Sequence, residues 1–452
     1  MAQGSGLTRG DRNRNRRIAA LREAVRKDRA VLAIDLGEDK QVAVVMDHEG
    51  RVLARKVVKA KAHQLGGLLE WAAGKAAAAG FAGLTVACEP TGHRWKALMG
   101  LADAAGHGFC CVQSLAVARA REGDDYTRDK TDHRDAYLIG KLTVRLDCYL
   151  PERADEAWAR LRHLGARRFS LVADVTSCMQ QAGDLLACAW PAPLSAAKRP
   201  LEPVTWLAGI AVVTDRCCGQ PSRLRKMGYD RFLAAIRREL PRWGGKLIRH
   251  SIARNLWEAL ADTGGVAAQR RGALERVHLL LGDWRALRAR LADTEERMTS
   301  MLEELGLTAL ATSIDGVSAL SGAVMLAETG DLNRFTSGRA VVKHAGLNPS
   351  EHTSATITGQ ARISRRGRPG LRSAAWRAVW GALRHNRVLS AKHARWTGRD
   401  GNRLADGQAR TACAATLLRW LWAVITTGQP WDARIAAGEI PARPAVTAAA
   451  AA

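Results

Sequence analysis

Four carboxylates stand out by their places in the chain. Asp35 lies in the apolar run AVLAIDL, Glu89 closes the run LTVACE, and Asp132 and Asp135 fall in KTDHRDA. The last two are three residues apart, which on a helix puts both carboxylates on one face. Four carboxylates gathered in one place make a hard, oxygen-only donor set of the kind Mg²⁺ prefers. Phosphodiester transfer needs such a set, because two Mg²⁺ ions about 3.5 to 4 Å apart stabilise the attacking and the leaving oxygen. Each acid alone also has an ordinary reading. Asp35 would cap a strand end, Glu89 would pair with Arg94, and Asp132 with Asp135 would form an exposed helix face. Their joint occurrence favours chemistry.

A second group is basic. Residues 361–410 hold thirteen basic and two acidic side chains, and Arg362, Arg365, Arg366, Arg368, Arg372 and Arg377 are interleaved with Trp376, Trp380 and Trp396. Guanidinium groups beside aromatic surfaces suit phosphate contacts and stacking. Two more blocks behave alike: nine basic against three acidic over 1–30, and ten against two over 223–254. With 69 Lys and Arg against 44 Asp and Glu, the 452 residues carry a net charge of +25. A chain this basic takes a polyanion as partner, and nucleic acid leads the candidates.

The elements that must position these residues follow from pattern. The runs AVLAIDL, QVAVVM and RVLARKVV, separated by turn residues, predict a three-strand meander. A helix is expected over 62–79, then the strand LTVACE, a helix near 93–105, the strand FCCVQ, and a helix from about Lys130, an α/β alternation. Meander first and βαβ units after, with Asp35 in the first strand and Glu89 ending the fourth, resembles the ribonuclease-H-like fold. Beyond it the chain reads as mainly α. Val277, Leu280, Trp284, Leu287, Leu291, Thr294, Met298, Met301 and Leu305 form a heptad seam broken only by Thr294. That seam is either a coiled-coil arm between subunits or an amphipathic helix packed inside one.

Composition excludes other classes. A 47% hydrophobic fraction rules out wholesale disorder. No apolar run approaches the roughly 18 residues of a membrane span, and the basic N-terminus lacks a signal-peptide core, so a cytoplasmic, nucleoid-associated protein is expected. The nine cysteines include no CxxC pair and read as small buried hydrophobes.

AIDLGEDKQVAVVMD, ACEPTGHRWKAL and DKTDHRDAYLIGKL resemble the three acidic blocks of the DEDD transposases of the insertion-sequence-one-ten family, whose first domain is RuvC-like. Further on, IDGVSALSGAVMLAETGD resembles a helix-hairpin-helix, and HAGLNPSE followed by a hydroxyl-bearing loop, ISRRG and LR resembles the family's C-terminal transposase domain. The resemblance implies that Asp35, Glu89, Asp132 and Asp135 bind Mg²⁺, two ions per site, and that a serine attacks DNA. That serine maps to Ser354, with Thr353 as second choice, since Ala355 stands where Gly is frequent. The arginines Arg362, Arg365, Arg366, Arg368 and Arg372 would hold nucleic acid. It also implies a paired helical arm, a homo-oligomer with a composite active site, a dimer assembling to a tetramer, and a structured bridge RNA that base-pairs with donor and target DNA.

The expected organisation is a basic extension at 1–29, a RuvC-like catalytic domain at 30–150, and a first coiled-coil helix at 151–189. A basic helical insertion at 190–272, longer than the resemblance accounts for, precedes a second coiled-coil helix at 273–308. The C-terminal transposase domain spans 309–433, and a disordered tail 434–452. The expected function is excision and insertion of an insertion sequence by cutting and rejoining DNA. The rivals are a site-specific invertase of the pilin-inversion type, a RuvC-like junction nuclease that leaves free ends, and a nucleic-acid-binding structural protein.

Overall fold

Strands buried on both faces need nearly continuous apolar sequence, and β1 (Arg29–Leu36) and β2 (Lys40–Met46) have it. β3 (Val52–Lys59) lies at the edge and alternates half-buried residues with exposed ones, including Arg55 and Lys59. The computed structural model describes residues 7–125, 130–153, 155–350, 353–354, 357–358 and 362–441, which fall into two units, 1–153 and 154–452.

In the first unit β4 (Gly83–Cys88) and β5 (Gly108–Cys111) complete a five-stranded sheet of order β3-β2-β1-β4-β5. β1, β2 and β3 are antiparallel neighbours, while β1, β4 and β5 run parallel. A mixed sheet of this order is consistent with a ribonuclease-H-like domain. The chain also forms α1 (Arg9–Ala24), α2 (Ala62–Ala78), α3 (Arg94–Ala104), α4 (Ser114–Asp125) and α5 (Asp132–Val144). One sheet face, with Leu32 and Ile34, packs on Leu65, Leu68 and Leu98 of α2 and α3. The other, with Ala33 and Ala87, packs on Leu138 and Ile139 of α5. Gly140 lets α5 approach closely, since a Cβ there would meet Met46 Sδ at 2.6 Å.

The segment expected as an N-terminal extension is largely helix. Thr8 and Asp11 form a capping box that starts α1, Leu21 and Val25 are buried against the sheet, and Thr85 Oγ1 donates to the Ala24 carbonyl at 2.8 Å. Its basic composition hides a helix held by few apolar residues.

In the second unit α6 (Glu156–Ala189) and α10 (Ala267–Glu304) pack side by side and antiparallel, tied by Arg160–Glu304 near one end, Arg168–Glu295 within, and Arg276–Gln181 toward the other. The heptad seam of α10 is therefore filled from the same chain, and the seam by itself carries no argument for a dimer. Between them lie α7 (Val204–Arg216), α8 (Tyr229–Glu239) and α9 (His250–Ala259). Their core of Trp190, Trp206, Phe232 and Leu256 is closed by Leu186 of α6 and by Leu274 and Val277 of α10. At the other end Leu161, Met298 and Leu302 join a core built from α11 (Thr308–Thr312), α12 (Ala319–Thr329), α13 (Gly338–His344), α14 (Pro369–His385), α15 (Arg387–Gly398) and α16 (Asp406–Thr427).

A last short helix, α17 (Ala433–Ala437), falls where the tail was expected to begin; the tail from 442 onward lies outside the described residues. Seven cysteines are buried, Cys188 and Cys218 are exposed, and all nine are free. Among the described residues no helix is long and apolar enough to cross a membrane.

Candidate active site

Asp35 and Glu89 are brought together by strand pairing. β1 and β4 run parallel with Ile34 opposite Cys88, so the two acids follow one another at the carboxyl ends of adjacent central strands, where ligands of open α/β sheets collect. Alternation puts Asp35 on the sheet face that carries Ala33, the face α5 covers. α5 starts at Asp132 because Thr131 caps it, accepting from the Arg134 N–H at 3.2 Å. Asp132 and Asp135 thus sit in a first helical turn, where unsatisfied N–H groups favour negative charge.

The four acids share one electrostatic neighbourhood. Burial pushes the Asp35 carboxyl up to about 6, and the charges of Asp135, Asp132 and Glu89, in that order, push the same way, with Lys130 opposing. Two of the acids have cationic partners that the sequence did not reveal. Arg121 of α4 donates to Asp135 Oδ1 from Nε at 2.9 Å and from Nη2 at 2.7 Å, and Lys40 reaches Asp132 at 3.0 Å. Arg94 donates to the Gly37 carbonyl, and the Glu89 carboxylate has no ion pair or hydrogen bond among the described residues. Helical spacing in SLAVARARE was the one available signal for Arg121; nothing marked Lys40.

The donor chemistry fits a hard divalent cation: four carboxylates, mutually repelling, with no sulfur or nitrogen ligand among them. Among the described residues, however, no three His, Cys, Asp or Glu side chains already stand at coordinating separation. Asp135 and Asp132 are drawn to Arg121 and Lys40 instead. The Arg121–Asp135 pair is largely buried. Removing one partner strands the other, so Arg121→Met is expected to lower unfolding free energy by about 3 kcal/mol, read from urea denaturation.

In the second unit, β6 (Pro349–Ser350) pairs with β9 (Arg362–Ile363), and β7 (Thr353–Ser354) with β8 (Ile357–Thr358), Ser354 opposite Ile357. The backbone of Ser354 thus lies on the rising side of a hairpin; the side chains of Thr353 and Ser354 lie outside the described part of the structure. The hairpin's base is firmly tied. Ser364 Oγ donates to Asn348 Oδ1 at 2.7 Å, and the Arg368 N–H donates to the His344 carbonyl at 2.8 Å. Gly346, at φ +69°, and Gly367 let the two loops touch, since a Cβ on Gly367 would lie 2.5 Å from the Gly346 nitrogen.

The five arginines expected to hold nucleic acid divide into two kinds. Arg362, Arg365 and Arg366 are exposed and have no ion pair among the described residues. Arg368 is engaged by Glu328 at 3.3 Å, and Arg372 donates to the Ala345 carbonyl at 2.9 Å, so both brace the loop base. The helix-hairpin-helix-like segment is the turn from α11 into α12. There Gly316, at φ +79°, packs on α14, where a Cβ would meet Ala382 Cα at 2.6 Å. Ser318 caps α12, accepting from the Ser321 N–H at 3.1 Å.

Comparison with known proteins decides the family. Residues 32–191 match the family model of the DEDD transposase of IS110, and residues 308–394 match that of the transposase IS116/IS110/IS902 family, together more than half of the chain. The chain belongs to the IS110 family of transposases. It is 27% identical over 344 residues to the uncharacterized 43.6 kDa protein of insertion element IS110 from Streptomyces coelicolor, across 73% of this chain and 79% of the relative. To the 44.8 kDa protein of IS116 from Streptomyces clavuligerus it is 26% identical, across 74% of this chain and 80% of the relative. The 42 kDa protein of IS900 from Mycobacterium paratuberculosis is also 26% identical, with the same coverage. The transposase is thus an enzyme that cuts and rejoins DNA, and its DEDD domain carries an expectation of divalent-metal dependence.

Proposed function

We propose that this transposase excises and inserts its element with Asp35, Glu89, Asp132 and Asp135 as the ligands of two Mg²⁺ ions and with Ser354 as nucleophile. The raised Asp35 carboxyl, set among three other acids from the end of β4 and the start of α5, is the observation that supports this reading most. When bound, the ions would supply Lewis-acid stabilisation of charge on the phosphodiester oxygens. The protein's residues supply the rest. The β1 and β4 strand ends and the capped first turn of α5 hold the carboxylates on rigid elements.

Ser354 Oγ forms a bond to phosphorus as the strand's P–O bond breaks and a hydroxyl end leaves. The serine proton passes to solvent or to a carboxylate. The phosphoserine ester conserves the broken bond, so rejoining to another hydroxyl needs no further energy source. Arg362, Arg365 and Arg366 meet the added charge on the phosphate, while Arg368 and Arg372 hold the loop that presents them.

In this reading 30–150 is the catalytic domain, 151–189 and 273–308 the arm, 190–272 an insertion, and 309–433 the serine domain. A bridge RNA supplies sequence choice, and the protein reads nucleic-acid shape and backbone, in keeping with its net charge of +25. The enzyme works as a homo-oligomer. Labelled DNA from the element junction, incubated with the enzyme and its co-purified RNA, tests the carboxylate assignment. Cleavage is expected with Mg²⁺, none with EDTA and none with Asp132→Ala. Undiminished cleavage in EDTA would remove the metal from the account.

A further inference from the structure

Residues 192–307 fall outside both family-matched stretches, yet the part of them between the long helices is a well-filled body. Its surface is unlike its core. Every one of the ten basic residues over 223–254 is exposed, against two acidic residues in the same stretch. Two of the ten reach a carboxylate, Arg242 at 3.1 Å from Glu239 and Arg225 at 4.0 Å from Glu258. Arg223, Lys226, Arg231, Arg237, Arg238, Lys246 and Arg249 have no ion pair among the described residues.

The fold does not need this charge. α8 buries Phe232, Ala235 and Ile236 and turns Arg231, Arg237 and Arg238 to solvent. A helix C-terminus gains from Arg237 and Arg238 at most about 1 kcal/mol each, and that explanation does not reach Arg223, Lys226, Arg231, Lys246 or Arg249. So many uncompensated cations repel one another, and a polyanion relieves the repulsion. Two of the ten also rest on aromatic rings. The Arg254 guanidinium lies 4.0 Å over the Tyr229 ring and Arg225 lies 5.5 Å over Trp257, cation–π contacts that restrain both side chains. At the following loop Leu247 is 85% exposed between Lys246 and Arg249.

We infer that this body grips the sugar-phosphate backbone of duplex DNA, without reading sequence, as a second hold on the substrate. DNA is the polyanion that the family's reaction already brings to the enzyme. The arm sets the spacing. Leu161 belongs to the C-terminal core and Leu186 to the core of the inserted body, and 25 residues of continuous helix between them span about 37 Å, close to one turn of B-DNA. The inference rests on the family's DNA-processing activity and on neither the carboxylates nor the serine.

The test uses the full chain with Asp132→Ala as background, so that cleavage does not enter the readout. Arg223, Arg231, Arg237 and Arg238 are changed together to Gln, and binding to duplex DNA of the element end is followed by fluorescence anisotropy through a salt series. Losing four phosphate contacts is expected to reduce the magnitude of the slope of log K against log salt by about 3.6 and to weaken binding about 100-fold or more near 0.1 M salt. The same four positions changed to Lys keep the charge and should keep the wild-type slope, which guards against a folding artefact in the Gln variant. Equal binding by wild type and the Gln variant would overturn the inference, as would equal binding by the Gln and Lys variants. So would loss of binding to a structured RNA hairpin with DNA binding intact.

Discussion

Asp35→Asn is expected to raise the thermal stability of the metal-free enzyme while abolishing strand cleavage. The sign follows from the direction of the shift. The Asp35 carboxyl is raised to about 6, first by burial and then by Asp135, Asp132 and Glu89. A raised acid releases its proton in the unfolded chain before it does so in the fold. Stability therefore falls as pH rises from about 4 to 6, and the cost is complete above that window. Discounted for partial exposure, the penalty at neutral pH is about 1 to 2 kcal/mol.

An amide of the same shape removes that penalty. The variant should melt higher than wild type at pH 8 in EDTA and equal to it near pH 4. Mg²⁺ should stabilise wild type and not the variant, since a ligand that binds the native state raises its stability. The Lewis-acid contribution to the transition state is worth several kcal/mol, so cleavage should fall about a thousandfold or more. Retained cleavage would take Asp35 out of the metal set. A lower melting temperature at pH 8 would mean that its charge stabilises the fold.

Ser354→Ala is expected to remove both strand cleavage and any covalent protein–DNA species, with the fold intact, because the change takes one hydroxyl from a hairpin whose anchoring bonds lie at its base. A serine hydroxyl is a weak nucleophile that depends on its surroundings for activation. Water replacing it would leave free ends. Thr353→Ala, one residue away, should keep most of the activity. The pair of variants separates a nucleophile from a merely polar loop. Cleavage that persists in Ser354→Ala with unattached ends would favour the junction-nuclease reading.

Much of the first unit was legible because its strands announce themselves. β1, β2 and β4 are buried on both faces and therefore read as short apolar runs broken by turn residues, and the acids at their ends are exceptions to those runs. The pairing of Asp132 and Asp135 followed from helical period alone. α1 was hidden because a helix anchored by Leu21 and Val25 looks, in composition, like a charged extension.

What periodicity cannot give is the partner. The seam of α10 was equally good for a second chain or for α6, and only the fold shows that Arg160–Glu304 and Arg168–Glu295 close it within one chain. Nor does a run of arginines tell which are free. Arg365 and Arg366 look the same in sequence as Arg368 and Arg372, yet Glu328 and the Ala345 carbonyl occupy the latter two. Arg121 and Lys40 escaped notice because an ion pair between segments far apart in sequence leaves no local signature.

The acids and Ser354 are proposed to serve one strand-transfer reaction. The most direct test of this proposal is to trap the enzyme on labelled element-junction DNA with Mg²⁺, digest the denatured product with nuclease and protease, and locate the attached nucleotide by mass spectrometry. A nucleotidyl group is expected on Ser354, absent in EDTA and in both Asp35→Asn and Asp132→Ala. A nucleotide attached to another residue, or efficient cleavage with no attached nucleotide at all, would contradict the proposal.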